Sequence, residues 1–300
     1  MSASRTDDLP KTAGGTARVA LIAGSGALPV MVADALAEAG RDPFVVAIEG
    51  EASDALKRHD HVEAYSGHPG VVLRALKASG AQEVVMIGGI RGRPDLRRIR
   101  PDFTTIRFAA RLLPRLGAGD DALLRAVIDM VEDAGLTVRG VHQVLPELLA
   151  GKGHLAGPVK TSRDDDAALQ TAVRAALALG AIDAGQGAVA VKRRVVALEG
   201  AEGTDLMLER VAKLRRVGRL SEKPGGVLVK LAKPGQELRA DLPTIGPQTV
   251  QHTAAAGLTC IGVHAGHSLI ASLDDTIAAA DAAKISLIGI VPEDYGATHG

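Results

Sequence analysis

The 300-residue chain has a single cysteine, Cys260, no tryptophan, and only five aromatic side chains: Phe44, Phe103, Phe108, Tyr65 and Tyr295. One thiol excludes an intrachain disulfide and a CxxC metal site, and fits a reducing cytoplasm better than an oxidising compartment. Scarce rings argue against recognition by stacking, and so against single-stranded nucleic acid as a main partner. Net charge is missing too: 35 Lys plus Arg balance 35 Asp plus Glu. No global field gathers a polyanion, and any anion binding has to be local. Nor is there a long apolar run. The longest uncharged stretch near the start, Val19 to Ala33, has 15 residues broken by Gly24-Ser25-Gly26 and Pro29, against the roughly 20 a membrane span needs. Residues 1–17, with Asp7 and Asp8, lack the basic leader and apolar centre of an export signal and read as a flexible tail.

What is present is aliphatic. Hydrophobic residues make up 46% of a chain with only 2% aromatics, so the cores are Ala, Val, Leu and Ile. The length exceeds the usual single-domain size and predicts two compact units. Arg18 to Gly26 places an apolar run before a glycine turn, with an Ala/Leu/Val-rich helical stretch after it to Gly40: a βα unit. Further strands are expected at Phe44–Ile48 and Glu83–Ile87, with a helix at Val71–Ser79 between them, then helices at Thr105–Leu116 and Asp120–Gly135 and a strand at Leu136–Val141. Strands alternating with helices imply a parallel sheet. Glycines and mixed polarity over Gly151–Pro158 point to a linker, and a helix with an acidic first turn follows at Asp164–Leu179. Beyond it, short β-like runs at Gly187–Lys192, Val195–Leu198, Val227–Leu231, Leu258–Val263, Leu269–Ser272 and Ser286–Val291 alternate with helices at Leu206–Arg215, Pro247–Ala256 and Asp274–Ala283. The expected architecture is α/β in two domains, a Rossmann-like parallel sheet with helices over 18–150 and a mixed α/β domain over 166–300. Residues 151–165 would link them, and ligands would bind in a cleft between the two.

Several segments carry chemistry-bearing patterns. Gly24-Ser25-Gly26-Ala27-Leu28-Pro29 lies between a strand and a helix, where bare amides can meet a phosphate. A tight turn needs the same glycines for backbone geometry. Pro29 stands where GxGxxG would have its third glycine, and no Walker A loop is present. Gly88-Gly89 ends a strand at a position where open α/β sheets bind ligands, with Arg91 and Arg93 close behind. Two stretches are basic: Arg91–Arg115 has eight arginines against Asp95 and Asp102, and Arg210–Arg239 has nine basic residues against Glu222 and Glu237. Each reads as a diphosphate clamp, a membrane-surface patch, or a solvated face with ordinary ion pairs. Thr204 and Asp205 open a helix, where a threonine usually caps and an acid complements the dipole. Asp241 sits in the turn-rich loop KPGQELRADLPTIG between Lys233 and Arg239, suited either to a hard metal and water activation or to an Asx turn. HExxH, GxSxG and a glutamate-rich Nudix helix are all missing from the sequence, which leaves carboxylate and hard-metal chemistry for any hydrolysis. His264 and His267 straddle a turn and read as surface histidines rather than zinc ligands.

Six motifs in one order over nearly the whole chain are similar to the LpxI-type UDP-2,3-diacylglucosamine pyrophosphatases of lipid A biosynthesis. They are LIAGSGALPV at Leu21–Val30, the Gly89 and Arg93-Pro94-Asp95 stretch, GDDALLRAV at Gly119–Val127, DAGQGAVA at Asp183–Ala190, EGTDLMLERVA at Glu202–Ala212 and KPGQELRADLPTIG at Lys233–Gly246. The resemblance implies Mg²⁺-dependent hydrolysis of UDP-2,3-diacylglucosamine to UMP and 2,3-diacylglucosamine 1-phosphate (lipid X). It also implies a cytoplasmic homodimer, peripheral to the inner membrane. Asp241 matches the family's essential aspartate, and Asp205 lies in its GTD segment; the pair is expected to serve catalysis and metal binding, as ligand or water-orienting base and as supporting acid. Substrate contacts are expected at Gly24, Ser25, Gly26, Leu28, Gly89, Arg93, Asp120, Gln186, Gly187, Thr204, Lys233 and Thr244. Two alternatives stand beside this: a nicotinamide-dependent oxidoreductase, with Glu49 as the only candidate acid beyond the glycine turn, and a non-catalytic protein binding acylated sugar nucleotides.

Overall fold

A computed structural model describes residues 18–90, 98, 105–107, 110, 120–159 and 162–295, with the side chains of 120–123 excepted. The tail at 1–17, Arg91, Arg93 and most of the Arg91–Arg115 stretch lie outside the described residues, and so does the side chain of Asp120. The chain divides into two compact units, residues 1–106 with 130–144 and residues 107–129 with 145–300.

In the first unit, strands β1 (Val19–Ala23), β2 (Phe44–Ile48), β3 (Asp60–Ala64), β4 (Glu83–Ile87) and β5 (Thr137–Arg139) form one sheet in the order β3-β2-β1-β4-β5, parallel throughout. Helices α1 (Leu28–Glu38) and α2 (Pro69–Ala78) alternate with them in sequence, and α3 (Asp120–Asp133), most of which falls in the second unit, precedes β5. The inner strands are near-continuous Val, Ile, Leu and Ala because a parallel sheet is covered on both faces; all five residues of β2 are buried. Edge strand β3, Asp-His-Val-Glu-Ala, is largely solvent-facing, and its polar composition hid it from the sequence reading.

The second unit has a six-stranded mixed sheet in the order β6-β13-β11-β9-β7-β8, built from β6 (Gly153–Ala156), β7 (Gly187–Val191), β8 (Arg194–Leu198), β9 (Val227–Lys230), β11 (Cys260–His264) and β13 (Ser286–Ile290). Strands β9, β11 and β13 run parallel, while β6, β7 and β8 pair antiparallel. A two-stranded parallel sheet joins β10 (Thr244–Ile245) to β12 (Leu269–Ile270). Strand β6 falls within Gly151–Pro158, where glycines and polar residues point to a linker; as an edge strand it needs only its ladder to β13.

Alternation along the strands separates two apolar layers. Ala188, Ala190, Val227, Val229 and Cys260 pack with α4 (Arg163–Ala181), whereas Val189, Leu228 and Ile261 pack with Met207, Leu208, Val250 and Ala280. The latter four belong to α5 (Gly203–Arg216), α6 (Pro247–Ala255) and α7 (Leu273–Ala283). Helix α4 starts on a capping box between Ser162 and Asp165.

Candidate active site

In the first unit the strand order reverses between β1 and β4, the kind of switch point outside whose carboxyl ends open α/β sheets bind ligands. Both expected glycine turns meet there. Gly24 N–H donates to the Ile87 carbonyl and Ser25 N–H to the Gly89 carbonyl, both at 2.8 Å, and Ser25 Oγ donates to the same Gly89 oxygen at 2.9 Å. The approach is too close for side chains: a Cβ on Gly24 would lie 2.4 Å from Gly89 O, and one on Gly88 would lie 2.7 Å from Ser25 O. Gly26 differs. Its φ of +100° is in the glycine-favouring region, yet its missing Cβ faces open space, and it is exposed beside the partly buried Leu28 at the start of α1. Glu49, the acid a dinucleotide site would need, is engaged by Arg98 at 2.8 and 2.9 Å.

In the second unit a rung runs from β9 across β7 to the residue just after β8. Lys230 pairs in register with Gly187, and Glu199 N–H donates to the Gly187 carbonyl at 2.9 Å. Because a Cβ on Gly187 would lie 2.4 Å from Glu199 Oε2, glycine is what admits that carboxylate. Lys230 is 6% exposed and Glu199 7%. Thr204, in the first turn of α5, bridges them: its hydroxyl donates to Glu199 Oε1 at 2.7 Å and accepts from Lys230 Nζ at 2.8 Å. Lys230 also donates to the Thr244 carbonyl at 3.2 Å. Thr204 is therefore not the cap that its place in the sequence predicts. Glu202 occupies the cap position, and the threonine is spent on the buried charges.

Asp241 lies in the loop between β9 and β10, partly buried, with Oδ2 accepting from Gln236 Nε2. Gln236 Oε1 in turn accepts from Lys233 N–H at 2.8 Å, and Lys233 Nζ donates to Asp183 at 2.7 Å. Arg239 turns to Glu237 at 2.8 Å, and that hydrogen bond, opposed in part by burial, holds the Glu237 carboxyl below the ordinary carboxylate range. Asp205 is half-exposed and faces His252 Nδ1 at 3.0 Å. Of the remaining expected contacts, Gln186 O accepts from Leu231 N–H at 3.0 Å, while its Oε1 is buried with no donor among the described residues.

The donor set bears on Mg²⁺. Among the described residues no three His, Cys, Asp or Glu side chains gather as a metal cage. Mg²⁺ typically uses one or two carboxylates together with substrate phosphates and water. Asp241 Oδ1 accepts no hydrogen bond among the described residues and Asp205 is half-exposed, so each carboxylate by itself has the donor chemistry that such a site uses.

Two family profiles cover this chain: the LpxI N-terminal domain matches residues 18–148 and the LpxI C-terminal domain matches residues 152–288. The chain belongs to the LpxI family. A curated relative, the UDP-2,3-diacylglucosamine pyrophosphatase LpxI of Caulobacter vibrioides, is 38% identical over 278 residues, 92% of this chain and 99% of the relative. In this LpxI-family chain Gly24, Ser25, Gly26, Leu28 and Gly89 cluster in the first unit. Thr204 and Thr244 are joined through Lys230 in the second, alongside Gly187, and Lys233 and Asp241 are linked through Gln236.

Lys230 and Glu199 escaped the sequence reading. The available signal was a lysine inside the apolar run Val-Leu-Val-Lys-Leu. The basic stretch Arg210–Arg239 is not one uniform face. Arg215 donates to the carbonyls of Ala256, Lys223, Gly225 and Gly257, Arg210 pairs with Glu202, and Lys230 is buried. His264 is partly buried at the end of β11, with its ring centroid 4.5 Å from that of His267. Burial first, and the neighbouring imidazole second, depress its pKa to about 4. Cys260 is buried and its thiol is pushed up to about 12, first by burial, which removes it as a nucleophile.

Proposed function

We propose that this chain hydrolyses the phosphoanhydride of UDP-2,3-diacylglucosamine, giving UMP and 2,3-diacylglucosamine 1-phosphate in lipid A biosynthesis. The observation that carries this reading is the 38% identity across 92% of the chain to a relative named for that pyrophosphatase activity, with both LpxI domains matched in order. An enzyme for this substrate needs cationic and amide groups for the diphosphate and aliphatic surface for the acyl chains, so a scarcity of aromatic rings is no handicap.

In the reaction, a water oxygen bonds to one phosphorus as the bridging P–O bond breaks, and the departing phosphate keeps the bonding electron pair. Asp241 is proposed to orient that water and accept its proton, with Gln236 holding the other carboxylate oxygen in place. Asp205, beside His252, is its supporting acid. Mg²⁺, when held by Asp241 and Asp205, would supply positive charge against the diphosphate oxygens. Lys233, Thr204, Thr244, Gln186 and Gly187 are proposed substrate contacts in the second unit, and the Gly24–Gly26 turn with Leu28 and Gly89 in the first. The proposal extends to a homodimer at the cytoplasmic face of the inner membrane; no helix among the described residues is long and apolar enough to cross a membrane.

The test is UMP release from UDP-2,3-diacylglucosamine, followed by mass spectrometry, with and without chelator. Asp241→Asn is expected to abolish release while melting within about 2 °C of the wild type, a loss confined to chemistry. Near-full turnover by that variant would remove Asp241 from the mechanism.

A further inference from the structure

Lys230 stands at the end of β9 where the loop bearing Asp241 begins, and Thr244 stands where that loop rejoins a strand. The Lys230 Nζ bond to the Thr244 carbonyl, 3.2 Å, therefore fastens the two ends of the loop through a side chain. The same nitrogen donates at 2.8 Å to Thr204, the residue before Asp205. Both segments that carry candidate catalytic carboxylates thus converge on one ammonium, and Glu199 supplies the opposite charge through the Thr204 hydroxyl.

The chemistry leaves this junction one arrangement. A carboxylate can only accept and an ammonium can only donate, so the Thr204 proton is committed to Glu199 and one of its lone pairs to Lys230. Fold stability does not account for such a device, because replacing buried ionic groups with apolar ones of similar volume is often neutral or stabilising. Position does account for it. The loop contains Gly235 at φ +73°, with open space where a side chain would be, and residues 231–243 have no regular strand or helix to hold them.

We propose that Lys230 is a positioning residue: it clasps the Asp241 loop shut and fixes it against the Thr204–Asp205 turn, so that both carboxylates are set before substrate arrives. The inference rests on the pyrophosphatase reading for its activity readout, but not for its structural one.

The experiment compares full-length wild type with Lys230→Met, Glu199→Gln and the double variant. Lys230→Met alone strands the Glu199 carboxylate and is expected to lower the melting temperature; adding Glu199→Gln removes that penalty and restores most of it. Despite this, kcat for UMP release by the double variant is expected to fall about 100-fold, the scale on which a 1 Å misplacement acts, with KM moving less than about threefold. Amide hydrogen exchange over residues 231–243 should accelerate, while β1, β2 and β4 exchange as in wild type. A double variant with wild-type kcat, or one with unchanged exchange in the loop, overturns the proposal. Should methionine prevent folding even with Glu199→Gln, Lys230→Arg keeps the charge but cannot reproduce both contacts with its planar fork, and is expected to lose part of kcat at unchanged KM; full retention by that variant would sink the idea equally. If wild type releases no UMP, the substrate assignment has failed, and the exchange experiment alone decides whether Lys230 holds the loop.

Discussion

Gly24→Ala separates a packing role for the first glycine turn from a phosphate-cradling one. The added Cβ would start 2.4 Å from the Gly89 carbonyl oxygen and 3.0 Å from the Gly88 carbonyl carbon, both backbone atoms with no rotamer to yield. Reaching even 3.0 Å from that oxygen requires the β1–α1 turn and the end of β4 to move apart by more than half an ångström. That movement stretches the two 2.8 Å bonds from Gly24 and Ser25 to Ile87 and Gly89. Overpacking costs about 1–3 kcal/mol and each lost hydrogen bond about 1 kcal/mol, so the expected destabilisation is about 2–5 kcal/mol. At roughly 2–4 °C per kcal/mol the melting temperature should drop by at least about 4 °C, read by circular dichroism at 222 nm. Gly26→Ala is the control: nothing lies within 4 Å of its new Cβ, and only the φ of +100° opposes it, at roughly 1–2 kcal/mol. Gly26→Val should go further and weaken substrate affinity by crowding an exposed turn. A Gly24→Ala protein melting within about 1 °C of wild type would refute the interlock as the reason for glycine there.

Asp165 accepts from Gly226 N–H at 3.1 Å, Thr259 Oγ1 at 3.0 Å and Ser162 Oγ at 2.9 Å while only 7% exposed. Asp165→Ala should therefore cost about 2–4 kcal/mol in urea unfolding, from a lost cap and orphaned donors, and a change under about 0.5 kcal/mol would contradict that accounting. His264 is expected to make stability pH-dependent. Its folded pKa of about 4 lies below the ordinary 6.5, so the unfolded chain binds the proton first, and stability is full above 6.5 and declines as the pH falls towards 4. Urea midpoints of His264→Gln should lack that part of the decline, and identical pH profiles for the two proteins would show that the imidazole does not titrate this way. Gly187→Ala should displace the Glu199 carboxylate and destabilise by about 1–3 kcal/mol, with the loss relieved in a Gly187→Ala/Glu199→Ala double variant; additivity of the two substitutions would deny the contact.

What could be seen in the sequence follows from how each element is buried. Phe44–Ile48 and Glu83–Ile87 are legible to the residue because both faces of a central parallel strand are apolar. Asp60–Ala64 and Gly153–Ala156 are not, since edge strands carry polar residues and glycine and draw their order from a partner strand. The same difference divides the candidate site. Glycine turns after apolar strands announce themselves locally, and Asp241 is conspicuous among Lys233, Arg239 and two prolines. Thr204 was legible as a residue but misread in its local role, because a threonine at the start of a helix has an ordinary use as a cap.

The Lys230–Gly187–Glu199 rung is illegible for a stronger reason: its members are brought together by strand register, which no local pattern states. Lys230 opposes Gly187 only in the observed β7–β9 pairing, and a slip of one residue would turn every side chain of the strand to the other face. Gly187 then has a meaning that depends wholly on its neighbours. With its Cβ excluded by Glu199 Oε2 at 2.4 Å, the glycine leaves room for a carboxylate to meet a threonine that a buried lysine also holds. Read alone, a glycine in Asp-Ala-Gly-Gln-Gly-Ala-Val-Ala is a turn or a place for ligand backbone contact. Read across the sheet, it makes space for an acid–base pair whose lysine closes the Asp241 loop, and it reaches the site through that pair whether or not substrate ever touches it.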